Sequence, residues 1–152
     1  MVIIPKFYEG IIVNQTKTVT WAFLIALIAT LGSLFFSEVM HFIPCSLCWY
    51  QRIFMYPLAV IFLVNLLYPD DKVYQYALPL VLIGLAIAVY HNLLMFKIIP
   101  ESLSPCVQGV PCSVDYLNWF GFITIPLLSF TAYLAILMVL ILRKKGNIEN
   151  EK

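Results

Sequence analysis

Hydrophobic positions dominate four stretches of this chain, roughly Val19–Phe36, Trp49–Leu67, Tyr76–Phe96 and Phe120–Leu142, with short polar breaks between them. At 1.5 Å rise per residue, about 20 residues cover the ~30 Å hydrocarbon core of a bilayer. Each stretch therefore predicts a membrane-spanning helix. The first is longer than the apolar region of a signal peptide and no small-x-small cleavage site follows it, so it reads as an uncleaved span.

Composition agrees with this pattern. The chain has 152 residues, 62% hydrophobic and 11% charged, whereas soluble domains carry about 25% charged residues. The net charge is +1, and no basic cluster interleaves with aromatics, which argues against nucleic acid as a partner.

Four spans place both termini on one side, and Lys and Arg choose that side. Lys6, Lys17, Lys72, Arg143, Lys144, Lys145 and Lys152 make seven on the terminal side, against Arg52 and Lys97 on the other. The expected fold is an all-α integral membrane protein of the cell (cytoplasmic) membrane. It is a single domain over 1–152, an antiparallel four-helix bundle with cytoplasmic termini. Segment 1–18 is mixed and suits the interface, "YPDDK" (Tyr68–Lys72) is a tight turn, and the last nine residues form a polar tail. Asn14-Gln15-Thr16 fits a glycosylation acceptor by chance, on a cytoplasmic segment.

The linkers at about 37–48 and 97–119 fall outside and hold all four cysteines, Cys45, Cys48, Cys106 and Cys112. Charge and cysteine placement thus agree on an oxidising, extracytoplasmic face. Pro57, Pro79 and Pro126 lie inside spans 2, 3 and 4. Such prolines are commonly tolerated where neighbouring helices satisfy the freed carbonyls; the alternative is kinks that open room for a ligand.

The chemistry centres on "PCSLCWYQR", Pro44 to Arg52. Pro44 closes a loop and span 2 begins near Ser46, so the Cys-x-x-Cys pair lies at a helix N-terminus. There the dipole and free N–H groups stabilise a thiolate. Trp49 and Tyr50 suit the interfacial belt. Arg52 follows Cys48 by four residues and shares its helix face. An arginine at mid-membrane costs about 2.5–3.5 kcal/mol. Snorkelling to headgroups, aided by Glu38, would offset that cost; so would an electron-rich ligand beside Cys48. His91 lies at a depth matching Arg52, within roughly 6–9 Å of the same surface. It is either a satisfied helix–helix contact or part of one polar pocket with Arg52. Glu38 otherwise reads as an interfacial charge and His41 as a loop residue.

"PCVQGVPC" (Pro105–Cys112) carries the second pair, with a proline before each cysteine and Gly109 available for a turn. Alone it reads as a structural disulfide; beside a helix-start Cys-x-x-Cys it makes a thiol relay plausible. Zinc held by all four cysteines is disfavoured by the Cys-x5-Cys spacing and the oxidising face, so no metal is assigned. All six glycines are isolated, which leaves nucleotide cofactors without a phosphate loop.

"CSLCWYQR", Arg52, a histidine in the third span and a second external cysteine pair together resemble the DsbB family, most nearly its short Gram-positive form, BdbC. The resemblance covers all four spans. It implies a four-helix membrane enzyme, a quinone-dependent protein thiol oxidoreductase. Its partner would be a thioredoxin-fold thiol oxidase of the DsbA type, and its cofactor a membrane quinone, menaquinone or ubiquinone. By the same resemblance, Cys45 and Cys48 are the quinone-linked pair, with Cys48 nearest the quinone. Arg52 binds the ring oxygens and His91 lines their pocket. Cys106 is the cysteine attacked by the partner, and Cys112 pairs with Cys45 during exchange. One departure stands out: family members with a longer second loop carry a membrane-surface helix there, and here five residues separate Cys106 from Cys112. A strongly oxidising partner, near about −120 mV, requires a high-potential acceptor, since each 30 mV of mismatch costs about 1.4 kcal/mol.

Three rivals make different demands. An outward-directed reductant would need a cytoplasm-facing cysteine pair, which is lacking. A vitamin K epoxide reductase-like enzyme would carry Cys-x-x-Cys near the start of its last core helix. A non-enzymatic four-helix protein with two structural disulfides would tolerate Cys48→Ser and Arg52→Lys.

Overall fold

The computed structural model describes residues 6–70, 72–100, 106, 112 and 124–150, with side chains described from Thr16 to Leu142 within those ranges. Four helices follow in order: α1 (Lys6–Leu34), continued by a π-helical turn at Phe35–Val39, then α2 (Ser46–Leu67), α3 (Val73–Met95) and α4 (Ile125–Asn150). Each contains a stretch long and apolar enough to cross a membrane: Thr16–Val39, Ser46–Leu67, Val73–Met95 and Ile125–Leu142. All secondary structure among the described residues is helical. The helices pack as a closed ring, α1 on α2, α2 on α3, α3 on α4 and α4 back on α1.

Two boundaries differ from the sequence reading. Residues 6–18 are already helical, because α1 begins at Lys6, ahead of the stretch apolar enough to cross a membrane at Thr16. The Thr20 hydroxyl donates to the Thr16 carbonyl at 2.7 Å, so this polar side chain bonds within its own helix and leaves the helix unbroken. The expected start of span 4 at Phe120 lies outside the described residues. With the helix beginning at Ile125, Pro126 occupies its first turn, where a missing N–H leaves no intrahelical bond unmade. Pro57 and Pro79 are interior to α2 and α3 and exposed on the bundle's outer surface.

The interior is built from small residues beside a few large ones. Ala22, Ala26, Ala59, Ala77 and Ala88 are buried together with Leu58, Phe62, Val81, Tyr133 and Ile136. Small side chains let membrane helices approach closely. Gly84 is the extreme case: a Cβ there would collide with the Tyr133 ring. The outer surface is itself apolar, with Trp21, Ile28, Val60, Leu67 and Leu142 all exposed, as a lipid-facing surface requires.

The helix ends nearest the first cysteine pair are tightly turned. His41 (φ 53°) and Lys97 (φ 56°) take the left-handed conformation just past α1 and α3. After α3 the Lys97 N–H bonds the Leu94 carbonyl and the Ile98 N–H bonds the Leu93 carbonyl, both at 3.0 Å, the Schellman closure of a helix C-terminus. At the opposite end, the Asn65 amide donates to the Asp70 carbonyl (2.9 Å) and the Asp70 carboxylate accepts from the Lys72 N–H (2.9 Å), drawing α2 and α3 into a short connection.

Candidate redox site

Cys45 is the N-cap of α2. Following Pro44 it is extended (φ −70°, ψ 169°), and its Sγ accepts the Cys48 N–H at 3.4 Å. A sulfur therefore fills the place that a Ser or Asp oxygen takes in an ordinary cap. One turn brings Cys48 Sγ within 3.0 Å of Cys45 Sγ, both as free cysteines. Closing this gap to a disulfide of about 2.05 Å needs only a small side-chain movement.

Cys45 lies just outside span 2, and its thiol pKa is held well below the ordinary thiol value. The hydrogen bond from the Cys48 thiol is the largest cause; His91 and the Cys48 N–H add to it, and burial opposes it. The capping position belongs to Cys45, whose sulfur receives the Cys48 N–H, an arrangement that favours its thiolate.

Cys106 and Cys112 are joined in a disulfide. This disulfide packs against the first pair: Cys45, Leu47, Leu94 and Cys112 are buried together, with Cys48, Cys106, Ile87 and Tyr90 around them.

His91, fully buried on α3, stands between the two pairs. Its Nε2 lies 3.8 Å from Cys45 Sγ and 3.2 Å from the Cys112 carbonyl oxygen, while Nδ1 lies 3.3 Å from the Gln51 amide nitrogen. With Gln51 donating to Nδ1, the ring proton sits on Nε2 and points toward Cys112 and Cys45. Gln51 is held in turn, because the Tyr133 hydroxyl donates to its backbone carbonyl at 2.7 Å.

Arg52 reaches across to α1 and lies against its own helix. Its guanidinium donates to the Ser33 carbonyl of α1 at 3.1 Å and stacks over the Trp49 ring at 5.4 Å. Arg52 and His91 both line one cavity of about 570 Å³, together with Cys45, Cys48, Ser33 and Met55. Of the three prolines, only Pro126 borders it.

Gln51 and Tyr133 had no place in the sequence reading. Gln51 was visible within the quoted motif as a polar residue inside a span, three positions after Cys48. Tyr133 gives no such signal, since an aromatic in an apolar run looks like any other core residue.

An apolar four-helix bundle with a helix-capping dithiol packed against a disulfide defines a multi-pass membrane thiol oxidoreductase. The comparisons with known proteins specify the kind. The profile of the family described as "Disulfide bond formation protein DsbB" matches residues 15–143. The chain is 49% identical over 123 residues to Disulfide bond formation protein C of Bacillus subtilis, covering 81% of this chain and 89% of that one. It is 45% identical over 126 residues to a probable disulfide formation protein C of Halalkalibacterium halodurans (82% and 92% covered). A probable disulfide formation protein of Metapseudomonas resinovorans is 43% identical over 137 residues (86% and 95% covered). The chain belongs to the DsbB family of disulfide bond formation proteins. No solved structure matches it significantly.

Proposed function

We propose that this protein reoxidises an extracytoplasmic thioredoxin-fold thiol oxidase of the DsbA type and passes the electrons to a membrane quinone, menaquinone or ubiquinone. Both cysteine loops then face the extracytoplasmic side. The observation that carries this reading is His91, which touches both cysteine pairs beside a largely apolar cavity.

The cavity suits such an acceptor. Its volume lies within the roughly 300–1,000 Å³ range of small-molecule sites, with apolar walls and few polar groups. Ile25, Ile28, Phe36 and Met55 supply apolar wall; Arg52 and His91 supply hydrogen-bond donors at one end of α2 and α3. When bound, a quinone supplies a two-electron, two-proton acceptor of high potential.

The protein's own residues account for the transfer to that point. A thiolate of the partner attacks Cys106 and breaks the Cys106–Cys112 bond. The partner's second thiol resolves the mixed disulfide, so the partner leaves oxidised and Cys106 and Cys112 are reduced. Cys112 then attacks Cys45 of the oxidised Cys45–Cys48 pair, expelling Cys48 on the face it shares with Arg52. Cys106 attacks Cys112, restores the Cys106–Cys112 disulfide and expels Cys45 as a thiolate. The electron pair now resides on Cys45 and Cys48, with the connectivity described above. Arg52 orients the acceptor's oxygens and offsets the negative charge that develops on them.

The capped thiolate also supports the direction of flow. Whatever stabilises the reduced pair raises its reduction potential, as in other strongly oxidising dithiols. The Cys45–Cys48 disulfide is thereby able to accept electrons that originate on an oxidising partner.

The test is quinone reduction by purified protein supplied with reduced thioredoxin-fold oxidase. Wild type should turn over and Cys48→Ser should not. Cys106→Ser should fail with the protein partner yet still accept electrons from a small dithiol. Turnover by Cys48→Ser, or none by active wild type with a competent partner, would refute the relay.

A further inference from the structure

Cys45, Cys48 and His91 satisfy a second kind of chemistry, independent of the acceptor. Cys45 Sγ, Cys48 Sγ and a His91 ring nitrogen all lie within 4.8 Å of one another. We infer that the reduced Cys45–Cys48 pair and His91 form a binding site for a thiophilic d10 cation of the Zn²⁺ or Cd²⁺ class.

The geometry is close to what such an ion needs. Zinc binds sulfur at about 2.3 Å and imidazole nitrogen at about 2.0–2.1 Å in a tetrahedron, which sets ligand atoms roughly 3.4–3.8 Å apart. Here the two sulfurs are 3.0 Å apart and Nε2 is 3.8 Å from Cys45 Sγ. Moving the sulfurs apart by less than an ångström, and drawing Cys48 Sγ and the imidazole nitrogen together from within 4.8 Å, completes the face around the ion. Two thiolates neutralise a divalent ion; with Cys45 already a thiolate, binding releases the one thiol proton of Cys48 to solvent. The fourth position falls to water from the cavity or to the Cys112 carbonyl oxygen, 3.2 Å from Nε2.

Gln51 makes the histidine adaptable. In the metal-free state its amide nitrogen faces Nδ1, which keeps the ring proton on Nε2. Ligation by Nε2 needs that proton on Nδ1, and rotating the Gln51 amide by half a turn presents its oxygen as the acceptor. Metal-bound histidines characteristically give their second N–H to such a partner, whose loss costs about 10–100-fold in affinity. The site exists only in the reduced protein, because the Cys45–Cys48 disulfide leaves no thiolate to bind.

The test titrates Cd²⁺ into full-length protein carrying Cys106→Ser and Cys112→Ser, reduced and free of oxygen. Thiolate-to-cadmium absorption and the ¹¹³Cd chemical shift report the ligand set. One equivalent should bind with two sulfurs and one nitrogen. His91→Ala should weaken binding at least about 10-fold and Gln51→Leu about 10–100-fold; the oxidised form should not bind. A second measurement uses the unsubstituted chain, fully reduced: the first equivalent of Cd²⁺ should protect Cys45 and Cys48 from alkylation, ahead of Cys106 and Cys112. Undiminished affinity in His91→Ala, or first protection of Cys106 and Cys112, would overturn the three-ligand site.

Discussion

The side chains of Gln51 and His91 meet across the α2–α3 interface with the amide nitrogen 3.3 Å from Nδ1, and both are buried. This contact sets which way the imidazole faces. Its other nitrogen is then directed at the Cys112 carbonyl and at Cys45 Sγ. A single ring thereby adjoins a backbone atom of one cysteine pair and the thiolate of the other.

Replacing Gln51 by Leu should leave Nδ1 buried without a partner, at a cost of about 1–3 kcal/mol. The ring is then free to turn its N–H away from Cys45. The reduced pair loses stabilisation, so its reduction potential should fall by about 30 mV, equivalent to about 1.4 kcal/mol. Redox titration against glutathione or dithiothreitol buffers measures this directly. An unchanged potential in a folded Gln51→Leu protein would show that the amide does not control the pair.

The low pKa of Cys45 predicts an unusual pH dependence. The folded value lies well below the ordinary 9.0. The thiolate therefore contributes stability to the reduced protein that is complete above pH 9 and is lost as pH falls through the depressed folded value. Alkylation of Cys45 by iodoacetamide should accordingly stay nearly constant as pH is lowered from 8 through neutrality, and drop only in more acidic solution. A rate that falls tenfold per pH unit below 8 would mean an ordinary thiol.

Arg52 should separate charge from shape. Its planar guanidinium meets the Ser33 carbonyl and lies over Trp49 at once, an arrangement that a lysine ammonium cannot reproduce. Arg52→Lys should therefore raise KM for a quinone analogue roughly 10-fold, near 1.4 kcal/mol, with a smaller effect on kcat. Arg52→Ala should raise it further. Steady-state kinetics over a range of quinone concentrations distinguishes this from a residue that only anchors α1 to α2, whose loss would lower thermal stability and leave KM alone.

Much of this architecture was legible along the chain, because a bilayer imposes one length scale on every span. The four apolar runs, the helix start near Ser46 and the common depth of Arg52 and His91 all follow from a 1.5 Å rise and the cost of charge in lipid. What was hidden depends on which helices touch. No local pattern around Gln51 reports that Tyr133, 82 residues later, caps its carbonyl. The cap formed by the Cys45 sulfur likewise depends on the extended backbone at Cys45 (φ −70°, ψ 169°), which turns its side chain to the Cys48 N–H. The early start of α1 was obscured by polar residues such as Thr20, whose hydroxyl bonds within the helix instead of ending it.

Gly84 and Tyr133 carry the last prediction. A methyl group at position 84 would overlap the Tyr133 ring and hydroxyl, and overpacking of this kind costs about 1–3 kcal/mol. The side chain that must give way is the one that donates to the Gln51 carbonyl, and Gln51 in turn orients His91. Gly84→Ala should therefore lower both thermal stability and the reduction potential of Cys45–Cys48, although position 84 lies on α3 two turns from His91. Tyr133→Phe removes only the hydrogen bond and should cost about 1 kcal/mol. In a Tyr133→Leu background the collision is gone, and alanine's helix propensity exceeds glycine's by about 1 kcal/mol. There Gly84→Ala should become neutral or stabilising. A double-mutant cycle read by unfolding in detergent decides the point, since contacting residues couple and distant ones add. Additive losses would mean that the two helices accommodate the methyl without moving Tyr133, and the link from α4 to the redox pair would fail with it.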